Sequence, residues 1–231
     1  MALASILVVD DEPKIRALVH DILRSETGRI LDAATGRAAI EAAESARPEL
    51  IVLDLGLPDM DGADVCRAIR GWSSAPILVL SARADEAEKA ALLDAGADDY
   101  VTKPFSAVEL QARVRALARR SRTAPLPGSA GPLVVGGLTI DTAKRRVERD
   151  GAEVHLTPTE WGVLRALVAS AGRPVTHRQL FLAVWGNSEG DAPLYLRVYV
   201  AHLRRKLEVD PYQPRLILTE PGVGYRLALE P

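Results

Sequence analysis

The strongest constraint on the fold is an alternation of short apolar runs with helical patterns over the first 120 residues. The apolar runs, which predict strands, are Ile6–Val9, Ile30–Leu31, Leu50–Leu53, Ile77–Leu80 and Tyr100–Val101. The helical patterns that follow them are Pro13–Ser25, Gly36–Ala46, Gly62–Gly71, Asp85–Ala95 and Ser106–Arg120. Short runs that are apolar on both faces, each followed by a helix, indicate a parallel sheet covered on both sides. The pattern therefore predicts a doubly wound α/β domain with a five-stranded parallel sheet, whose site lies at the carboxyl ends of the strands.

A change of composition marks a boundary after this pattern. Residues 122–131 are rich in Pro, Gly and Ser and have little apolar surface to bury, which is typical of a flexible linker. The first 118 residues are acidic, with 13 Lys and Arg against 20 Asp and Glu, whereas the whole chain has a net charge of −2. We therefore expect one domain over residues 1–121 and a second, with a different partner, over residues 132–231.

The overall composition is that of a globular protein outside the membrane, with 48% apolar and 26% charged residues. No apolar run approaches the roughly 18 residues that span a bilayer. The first apolar run leads straight into Asp10-Asp11, which is unlike a signal peptide. Cys66 is the single cysteine, so an internal disulfide is excluded and a reducing compartment fits. These features predict a cytoplasmic protein without membrane insertion.

The second half of the chain has a different pattern. Four short runs predict antiparallel strands: Leu133–Val135, Leu138–Ile140, Arg145–Val147 and Val154–Leu156. The pair Asp150-Gly151 is typical of a hairpin turn. Thr157–Glu160 and Thr176–Gln179 fit the capping box and predict two helix starts, the second helix ending at Gly186. The remaining predicted elements are a third helix from Pro193 to about Glu208 and a terminal hairpin with strands Leu216–Thr219 and Tyr225–Leu229. Together these elements predict an α+β winged helix-turn-helix domain.

Polar side chains follow four strands of the predicted parallel sheet. Asp10 and Asp11 follow the first strand, Asp54 the third, Ser81 the fourth and Lys103 the fifth. Taken singly, each has an ordinary explanation as a helix cap, a turn residue or a surface charge. Because the carboxyl ends of parallel strands meet at one edge of a sheet, we expect these side chains to lie together.

Such a cluster has a definite chemistry. Carboxylates packed together repel unless a hard cation lies among them, and Mg²⁺ prefers oxygen ligands and commonly joins carboxylates to a phosphate. One carboxylate can then attack phosphorus to form an acyl phosphate. Mg²⁺, the Lys103 ammonium and the Ser81 hydroxyl would neutralise charge on the phosphoryl oxygens.

These residues resemble the receiver domains of response regulators, which have a flavodoxin-like fold, over about the first 120 positions. The matching stretches are Asp10-Asp11, Asp54 with Leu57-Pro58 and Asp61-Gly62, Ser81-Ala82, Gly96–Tyr100 and Lys103–Phe105. The resemblance implies that Asp54 is the phosphoacceptor and takes its phosphoryl group from a membrane sensor histidine kinase. It also implies that Asp11, Asp54 and the Gly56 carbonyl bind Mg²⁺, with Asp10 acting largely through water.

The same resemblance implies how phosphorylation is relayed. Ser81 and Tyr100 are the expected switch pair: the hydroxyl moves to meet the phosphoryl group and the ring turns inward. The Lys103–Pro104 bond is expected to be cis, an isomer essentially confined to proline.

A phosphorylation-driven homodimer is also implied, through a two-fold surface formed by the fourth helix, the fifth strand and the fifth helix. Its expected residues are Lys89, Asp94, Asp99, Glu109, Arg113 and Arg115. The expected ion pairs join Lys89 to Glu109, Asp94 to Arg115 and Asp99 to Arg113. The alternative is that Glu109 and Arg113 simply pair along their own helix at i,i+4.

The third helix of the second domain is the candidate DNA-recognition element. A stripe of Leu196, Val200, Leu203 and Leu207 is expected to pack on the core. The outward-facing residues are then Val198, Ala201, His202 and Arg205, flanked by Arg197 and Arg204. Arginine can bond guanine bidentately and small apolar groups can contact thymine methyls, so this face suits a major groove. The alternative is an ordinary solvated face.

This half of the chain resembles the winged-helix output domains of the OmpR/PhoB type. The matching stretches are Leu156–Glu160, Arg178–Leu180, Val184–Gly186, Leu203–Arg204 with Lys206–Leu207, and Gly222–Arg226. Thr219 and Arg226 of the terminal hairpin complete the expected contacts with DNA. Pro221 stands where many relatives carry a wing arginine, and Trp161 replaces the usual Phe or Tyr after Glu160.

Within that type, three stretches resemble the Kdp-type regulators of potassium uptake. They are Tyr195–Tyr199, His202–Arg204, and Asp210-Pro211 with Pro214-Arg215. The resemblance implies that the protein binds the promoter of a potassium-uptake operon as double-stranded DNA and acts on RNA polymerase.

The favoured function is a phosphorylation-controlled transcription factor, a binding protein rather than a turnover enzyme. An aspartyl-phosphate phosphohydrolase would carry its nucleophile in an Asp-x-Asp motif on the first strand, whereas the candidate here lies on the third. A flavin-binding domain is disfavoured because the first loop is acidic where a flavin phosphate needs donors. A DNA-binding protein with a vestigial receiver is disfavoured because the acidic set is intact.

Overall fold

The structure is a computed structural model and describes residues 3–82, 85–121, 131–170, 172–186 and 191–229. The chain divides into two units, Met1–Ser121 and Arg122–Pro231. Apart from Gly131, the predicted linker over residues 122–131 lies outside the described residues. Within the described ranges, no helix combines the length and the apolar character needed to cross a membrane.

The first unit is built on one parallel sheet. Its strands are β1 (Ile6–Val9), β2 (Ile30–Ala33), β3 (Leu50–Asp54), β4 (Ile77–Ser81) and β5 (Asp99–Thr102). Its helices are α1 (Pro13–Leu23), α2 (Gly36–Ala46), α3 (Gly62–Arg70), α4 (Glu86–Asp94) and α5 (Ala107–Ser121). The strand order is β2-β1-β3-β4-β5, and every neighbouring pair is parallel. The predicted five-stranded doubly wound fold is confirmed, with elements that differ from prediction by a few residues at their ends.

The central strands are buried on both faces, which explains why their sequences are apolar throughout. Every residue of β1, β3 and β4 is buried. One side of the sheet packs against α1 and α5, where Val19, Leu23, Val114 and Leu117 join the core. Polar residues of these strands therefore occur at the carboxyl ends, where the apolar core stops.

The second unit contains two small antiparallel sheets and three helices in its described part. Its first sheet has the order β6-β7-β8-β9, and its second the order β10-β12-β11. The strands are β6 (Leu133–Val135), β7 (Leu138–Asp141), β8 (Arg146–Arg149), β9 (Ala152–Glu153), β10 (Val175–Thr176), β11 (Ile217–Glu220) and β12 (Gly224–Leu227). The helices are α6 (Pro158–Ala169), α7 (His177–Trp185) and α8 (Ala192–Leu207). This is the predicted α+β arrangement of sheet, three helices and terminal hairpin.

One strand of the second unit lies two residues before its predicted position. The partner of β8 is Ala152–Glu153 rather than Val154–Leu156. Asp150 and Gly151 both have positive φ, 49° and 82°, which is the conformation of a two-residue hairpin loop. A loop that short places Ala152 directly opposite Arg149. The two-residue strand β10 is too short to leave a periodic signal and was not predicted.

Both predicted capping boxes are present. Thr157 accepts a hydrogen bond from the backbone N–H of Glu160, whose side chain accepts one from the Thr157 N–H. Thr176 and Gln179 make the same reciprocal pair at the start of α7. Gly186 ends α7 with a φ of 71°. Side-chain caps satisfy backbone donors that a helix cannot satisfy internally, so these residues fix where the two helices start.

Candidate phosphoacceptor and DNA-binding sites

The structure brings the predicted acidic residues together at the carboxyl edge of the parallel sheet. Oxygen atoms of Asp10, Asp11 and Asp54 lie within 4.8 Å of one another. Asp10 and Asp54 are buried, whereas Asp11 is exposed. Asp54 is the last residue of β3, and Asp10 directly follows β1. The shared sheet edge thus produces the cluster, as the strand pattern predicted.

Lys103 lies directly against this cluster. Its Nζ is 2.7 Å from Oδ1 of Asp54 and 3.0 Å from Oδ2 of Asp10. Burial alone lowers the pKa of Lys103, but its hydrogen bonds to Asp54 and Asp10 and their charges outweigh that effect and raise the pKa above its ordinary value. Its backbone N–H donates to the carbonyl of Ser81 at 2.7 Å, and the Lys103–Pro104 bond is cis as predicted. A permanent cation therefore faces the Asp54 carboxylate.

The donor set fits a magnesium ion. Three carboxylates offer hard oxygen atoms within one small volume, which is the ligand chemistry that Mg²⁺ prefers. Oδ2 of Asp54 accepts a hydrogen bond from the Gly56 N–H at 3.0 Å, so Gly56 lies beside the proposed acceptor. Asp10, Asp11, Asp54 and the Gly56 carbonyl are the groups that would hold the ion.

Glycine at position 62 keeps the loop after β3 close to this site. An added Cβ would lie 2.7 Å from the Asp54 carbonyl oxygen and 2.7 Å from the Leu55 Cα. Both neighbours are backbone atoms, so a side chain cannot be accommodated without moving the end of β3. The Asp61 side chain caps α3 by accepting from the Ala63 N–H at 2.8 Å. Gly62 and Asp61 therefore let α3 begin against the strand that carries Asp54.

Sequence reasoning missed Arg16 at this edge of the sheet. Its guanidinium donates to the carbonyl oxygens of Asp10 at 2.6 Å and Asp11 at 3.1 Å. These bonds fix the backbone that carries two of the carboxylates. The sequence gives little indication of this role, because Arg16 looks like an ordinary charged residue of α1.

The two predicted switch residues lie at the ends of neighbouring strands. Ser81 is the last residue of β4 and is buried. Tyr100 on β5 is 8% exposed, so its ring lies inside the unit. Lys89 of α4 places its Nζ 5.2 Å from the centre of this ring, within the range of a cation–π interaction. A residue expected at the dimer surface thus contacts the switch ring.

Only some of the residues predicted for the dimer surface lie together on α4, β5 and α5. Arg113 pairs within its own chain, at 2.9 Å with Asp99 and 3.1 Å with Glu109. Lys89 is half-buried and Asp94 is exposed on the neighbouring helix α4. The placement of Arg115 on this surface is wrong: it pairs with Glu26 beyond α1 at 2.9 Å. Residues two apart on a helix point to different faces, so Arg113 and Arg115 cannot share one.

The surface of α8 is narrower than predicted. Its exposed residues in the central and last turns are Arg197, Ala201 and Arg205, spaced by four along one stripe. The outward placement of Val198 is wrong, because it is 5% exposed and lies in the core. His202 is also largely covered, with Nδ1 3.8 Å from the buried carboxylate of Glu160. The helix is packed on two sides, which leaves one exposed stripe in these turns.

Arg204 is directed toward the terminal hairpin rather than outward. Its guanidinium donates to the carbonyl of Ile217 at 2.7 Å and to Oγ1 of Thr219 at 2.9 Å. Burial lowers the pKa of Arg204 from its ordinary value. Arg204, which the sequence places beside the DNA-binding face, thus joins α8 to β11 through these hydrogen bonds. Thr219 is itself exposed.

Two carboxylates that the sequence did not single out hold α8 in place. Glu160 accepts from Nζ of Lys206 at 2.6 Å while it caps α6. Glu208, just beyond α8, accepts backbone N–H groups of Leu216 at 2.9 Å and Ile217 at 2.8 Å. On the hairpin, Arg226 forms an ion pair with Glu220. The bonds of Glu208 therefore hold the end of α8 against the hairpin, and that of Glu160 holds α8 against α6.

An acidic pocket on a doubly wound sheet, joined in one chain to a winged helix-turn-helix, defines the class of response regulators with a DNA-binding output domain. Residues 6–115 match the response regulator receiver domain, and residues 151–227 match the C-terminal domain of transcriptional regulatory proteins. The chain belongs to the response regulators of the OmpR/PhoB type, and it is a transcription regulator.

Its curated relatives align over nearly the full length. The transcriptional regulatory protein KdpE of Mycobacterium tuberculosis is 48% identical over 221 residues, which cover 96% of this chain and 97% of the relative. The KDP operon transcriptional regulatory protein KdpE of Escherichia coli (strain K12) is 45% identical over 228 residues, covering 98% and 100%. DNA-binding response regulator MtrA of Mycolicibacterium smegmatis is 40% identical over 221 residues, covering 96% and 95%.

Solved structures give the same architecture. A mutant of RitR has a TM-score of 0.75 at 26% identity, covering 97% of this chain and 99% of that structure. The response regulator DrrB of Thermotoga maritima, an OmpR/PhoB homolog, has a TM-score of 0.52 at 32% identity, covering 97% and 99%.

Proposed function

We propose that this protein is a phosphorylation-activated switch on a potassium-uptake operon. The observation that carries the proposal is the contact of Lys103 with Asp10 and Asp54 inside a cluster of three carboxylates. A DNA-binding domain on the same chain supplies the output. Identities of 48% and 45% to two KdpE proteins over nearly the full length support the potassium assignment.

The chemistry proposed is a single phosphoryl transfer to Asp54. A carboxylate oxygen of Asp54 bonds to phosphorus as the bond from phosphorus to the histidine nitrogen of the kinase breaks, and that nitrogen keeps the electron pair. Lys103 already contacts Oδ1 of Asp54 and neutralises charge on the transferred group. A bound Mg²⁺ supplies further charge neutralisation. The protein is left modified after one transfer, so it acts as a stoichiometric switch rather than an enzyme.

The partners follow from the two units. A membrane sensor histidine kinase donates the phosphoryl group, and promoter DNA and RNA polymerase are engaged in the cytoplasm. Phosphorylation favours a homodimer through α4, β5 and α5. Lys89 contacts the Tyr100 ring, and Arg113 is held by Asp99 and Glu109. A movement of the Tyr100 ring would therefore displace Lys89, a charged residue of the proposed dimer surface.

Incubation with Mg²⁺ and a small phosphodonor should add one phosphoryl group to the full chain and shift its sedimentation toward a dimer. Asp54→Asn should abolish both changes, because an amide is not a nucleophile toward phosphorus. Intact-mass spectrometry gives the stoichiometry. Asp64→Asn is the matched control, since Asp64 is an exposed carboxylate on α3 that pairs only with its helix neighbour Arg67 among the described residues. Normal labelling of Asp54→Asn would show that the acceptor lies elsewhere.

Base recognition should depend on the exposed stripe of α8. Arg205→Ala should cost about 1–3 kcal/mol of affinity and relax preference at one base position per half-site. Arg226→Ala is the matched control. Because the Arg226 guanidinium is paired with Glu220, we expect it to contact phosphates at most and no base. Its loss should therefore weaken binding to all sequences alike and reduce the salt slope by about one unit at most. Titrations at several salt concentrations, on the potassium-uptake promoter and its single-base variants, measure both.

Two results of these titrations count against the proposal. Binding to that promoter no tighter than to unrelated DNA contradicts the potassium assignment. Equal weakening of every base variant by Arg205→Ala contradicts the role of α8 in base recognition.

A further inference from the structure

The loop between β3 and α3 is attached to a helix on the neighbouring part of the sheet. Asp59, in the middle of this loop, accepts the backbone N–H of Gly36 at 2.7 Å with Oδ1 and that of Arg37 at 3.0 Å with Oδ2. These are the first two residues of α2. Thr35 caps the next donor, the N–H of Ala38, at 3.2 Å. The first turn of α2 is thus capped partly from its own chain segment and partly from the loop.

The contact is close because residue 36 has no side chain. An added Cβ at Gly36 would lie 2.4 Å from Cγ of Met60, the residue after Asp59. The loop therefore lies directly on the backbone of α2. A carboxylate at a helix N-terminus is also favoured by the helix dipole. The N–H groups of Arg37 and Gly36 accordingly hold the pKa of Asp59 below its ordinary value.

The other attachment of the same loop is at the acidic site. Gly56 donates its N–H to Oδ2 of Asp54 at 3.0 Å and forms an isolated bridge with Asp61. Asp59 lies between these two bridged residues. A displacement of Asp59 from α2 would therefore be transmitted to Gly56 through three peptide units closed by that bridge.

We infer that Asp59 is a positioning residue for magnesium binding at the Asp54 site: it holds the loop against α2 and thereby fixes the Gly56 peptide. The inference rests on the proposed function of Asp54. Asp59 is not one of the three clustered carboxylates, so its role is to position the loop rather than to bind the ion. Its effect is to hold the Gly56 carbonyl in place before Mg²⁺ or the phosphoryl group binds.

The test is a Mg²⁺ titration of the full chain followed through the backbone amide of Gly56 by nuclear magnetic resonance. Asp59→Ala should raise the apparent dissociation constant of Mg²⁺ about tenfold, the lower end of the effect of removing groups that orient metal ligands. Asp59→Asn keeps one acceptor oxygen and should recover part of the loss. Thr35→Ala removes a cap from the same helix terminus without touching the loop, so it should leave the affinity unchanged.

A second readout separates binding from transfer. At saturating Mg²⁺, Asp59→Ala should accept the phosphoryl group at nearly the wild-type rate, because Asp54 and Lys103 are intact. Equal loss of Mg²⁺ affinity in Asp59→Ala and Thr35→Ala would overturn the inference and reduce Asp59 to a helix cap. If Asp59→Ala does not fold, Asp59→Asn is compared with Thr35→Ala in the same way. Failure of the wild-type chain to bind Mg²⁺ or to be phosphorylated would instead overturn the proposed function.

Discussion

Replacing Arg70 with methionine should lower the free energy of unfolding of the first unit by about 3–5 kcal/mol, the cost of leaving a buried charge without its partner. Arg70, the last residue of α3, forms an ion pair with Asp98, whose side chain is 1% exposed. The same guanidinium donates to the carbonyl oxygens of Gly96 at 2.7 Å and Ala75 at 2.5 Å. Asp98 also accepts the N–H of Ile77 at 3.0 Å, so the pair joins α3 to the starts of β4 and β5.

The single cysteine makes this loss measurable in the full chain. Cys66 is fully buried on α3, and burial raises the pKa of its thiol to about 12. Such a thiol is inert in the folded state, so its reaction with a disulfide reagent in increasing urea reports the unfolding of the first unit. The urea midpoint is the quantity to compare, because Arg70 lies one turn from Cys66 and its charge also affects the thiol directly.

Arg67→Met is the matched control, since Arg67 pairs with Asp64 on the same helix with both side chains more than half exposed. An exposed pair of this kind contributes about 0–1 kcal/mol. Arg70→Met with Asp98→Asn should recover part of the loss, because the uncompensated charge is gone. Similar midpoint shifts for Arg67→Met and Arg70→Met would contradict the buried-pair explanation.

The acidic site was predictable because strand ends are visible in a sequence. Apolar runs locate β1, β3 and β4, and the residue after each run lies at the shared edge of the sheet. Asp10, Asp54 and Ser81 follow from that rule without any knowledge of contacts. Asp59 does not, because its partner Gly36 is 23 positions away and Asp59 itself belongs to no periodic pattern.

The outer face of α8 was predicted less well for a related reason. The sequence pattern predicts one buried stripe, Leu196 to Leu207, and an exposed opposite side. A second buried set follows the i, i+3, i+4 spacing: Tyr195, Val198 and Tyr199 are all at most 5% exposed. Tyr195 packs edge-on against Trp185 of α7 at 5.2 Å. A helical period clearly reveals one apolar face, but a helix that packs against several elements has more than one buried face.

Gly224→Ala should destabilise the second unit by about 3 kcal/mol, the upper end of the usual cost of overpacking. Gly224 begins β12 and pairs with Thr176 of β10. An added Cβ would lie 2.1 Å from the carbonyl oxygen of Val175 and 3.0 Å from the N–H nitrogen of His177. Both are backbone atoms of the segment that starts α7, so a methyl group must push the terminal hairpin away from that helix. Arg204 and Glu208 fix the hairpin to α8 from its other side, so the strain cannot be relieved by a simple tilt.

The fluorescence of Trp161 and Trp185 in increasing urea measures this effect, with Trp72→Phe removing the remaining tryptophan of the chain. Gly222→Asn is the matched control in the same hairpin. Gly222 has a φ of 72° and nothing within 4 Å of an added Cβ, and asparagine tolerates this left-handed conformation. Gly224→Ala should also weaken promoter binding, since the hairpin and α8 then lose their fixed angle, whereas Gly222→Asn should leave it nearly unchanged. Equal urea midpoints for the two variants would show that β12 can move away from β10 at little cost. Unchanged promoter binding by Gly224→Ala would show that the hairpin does not set the orientation of α8.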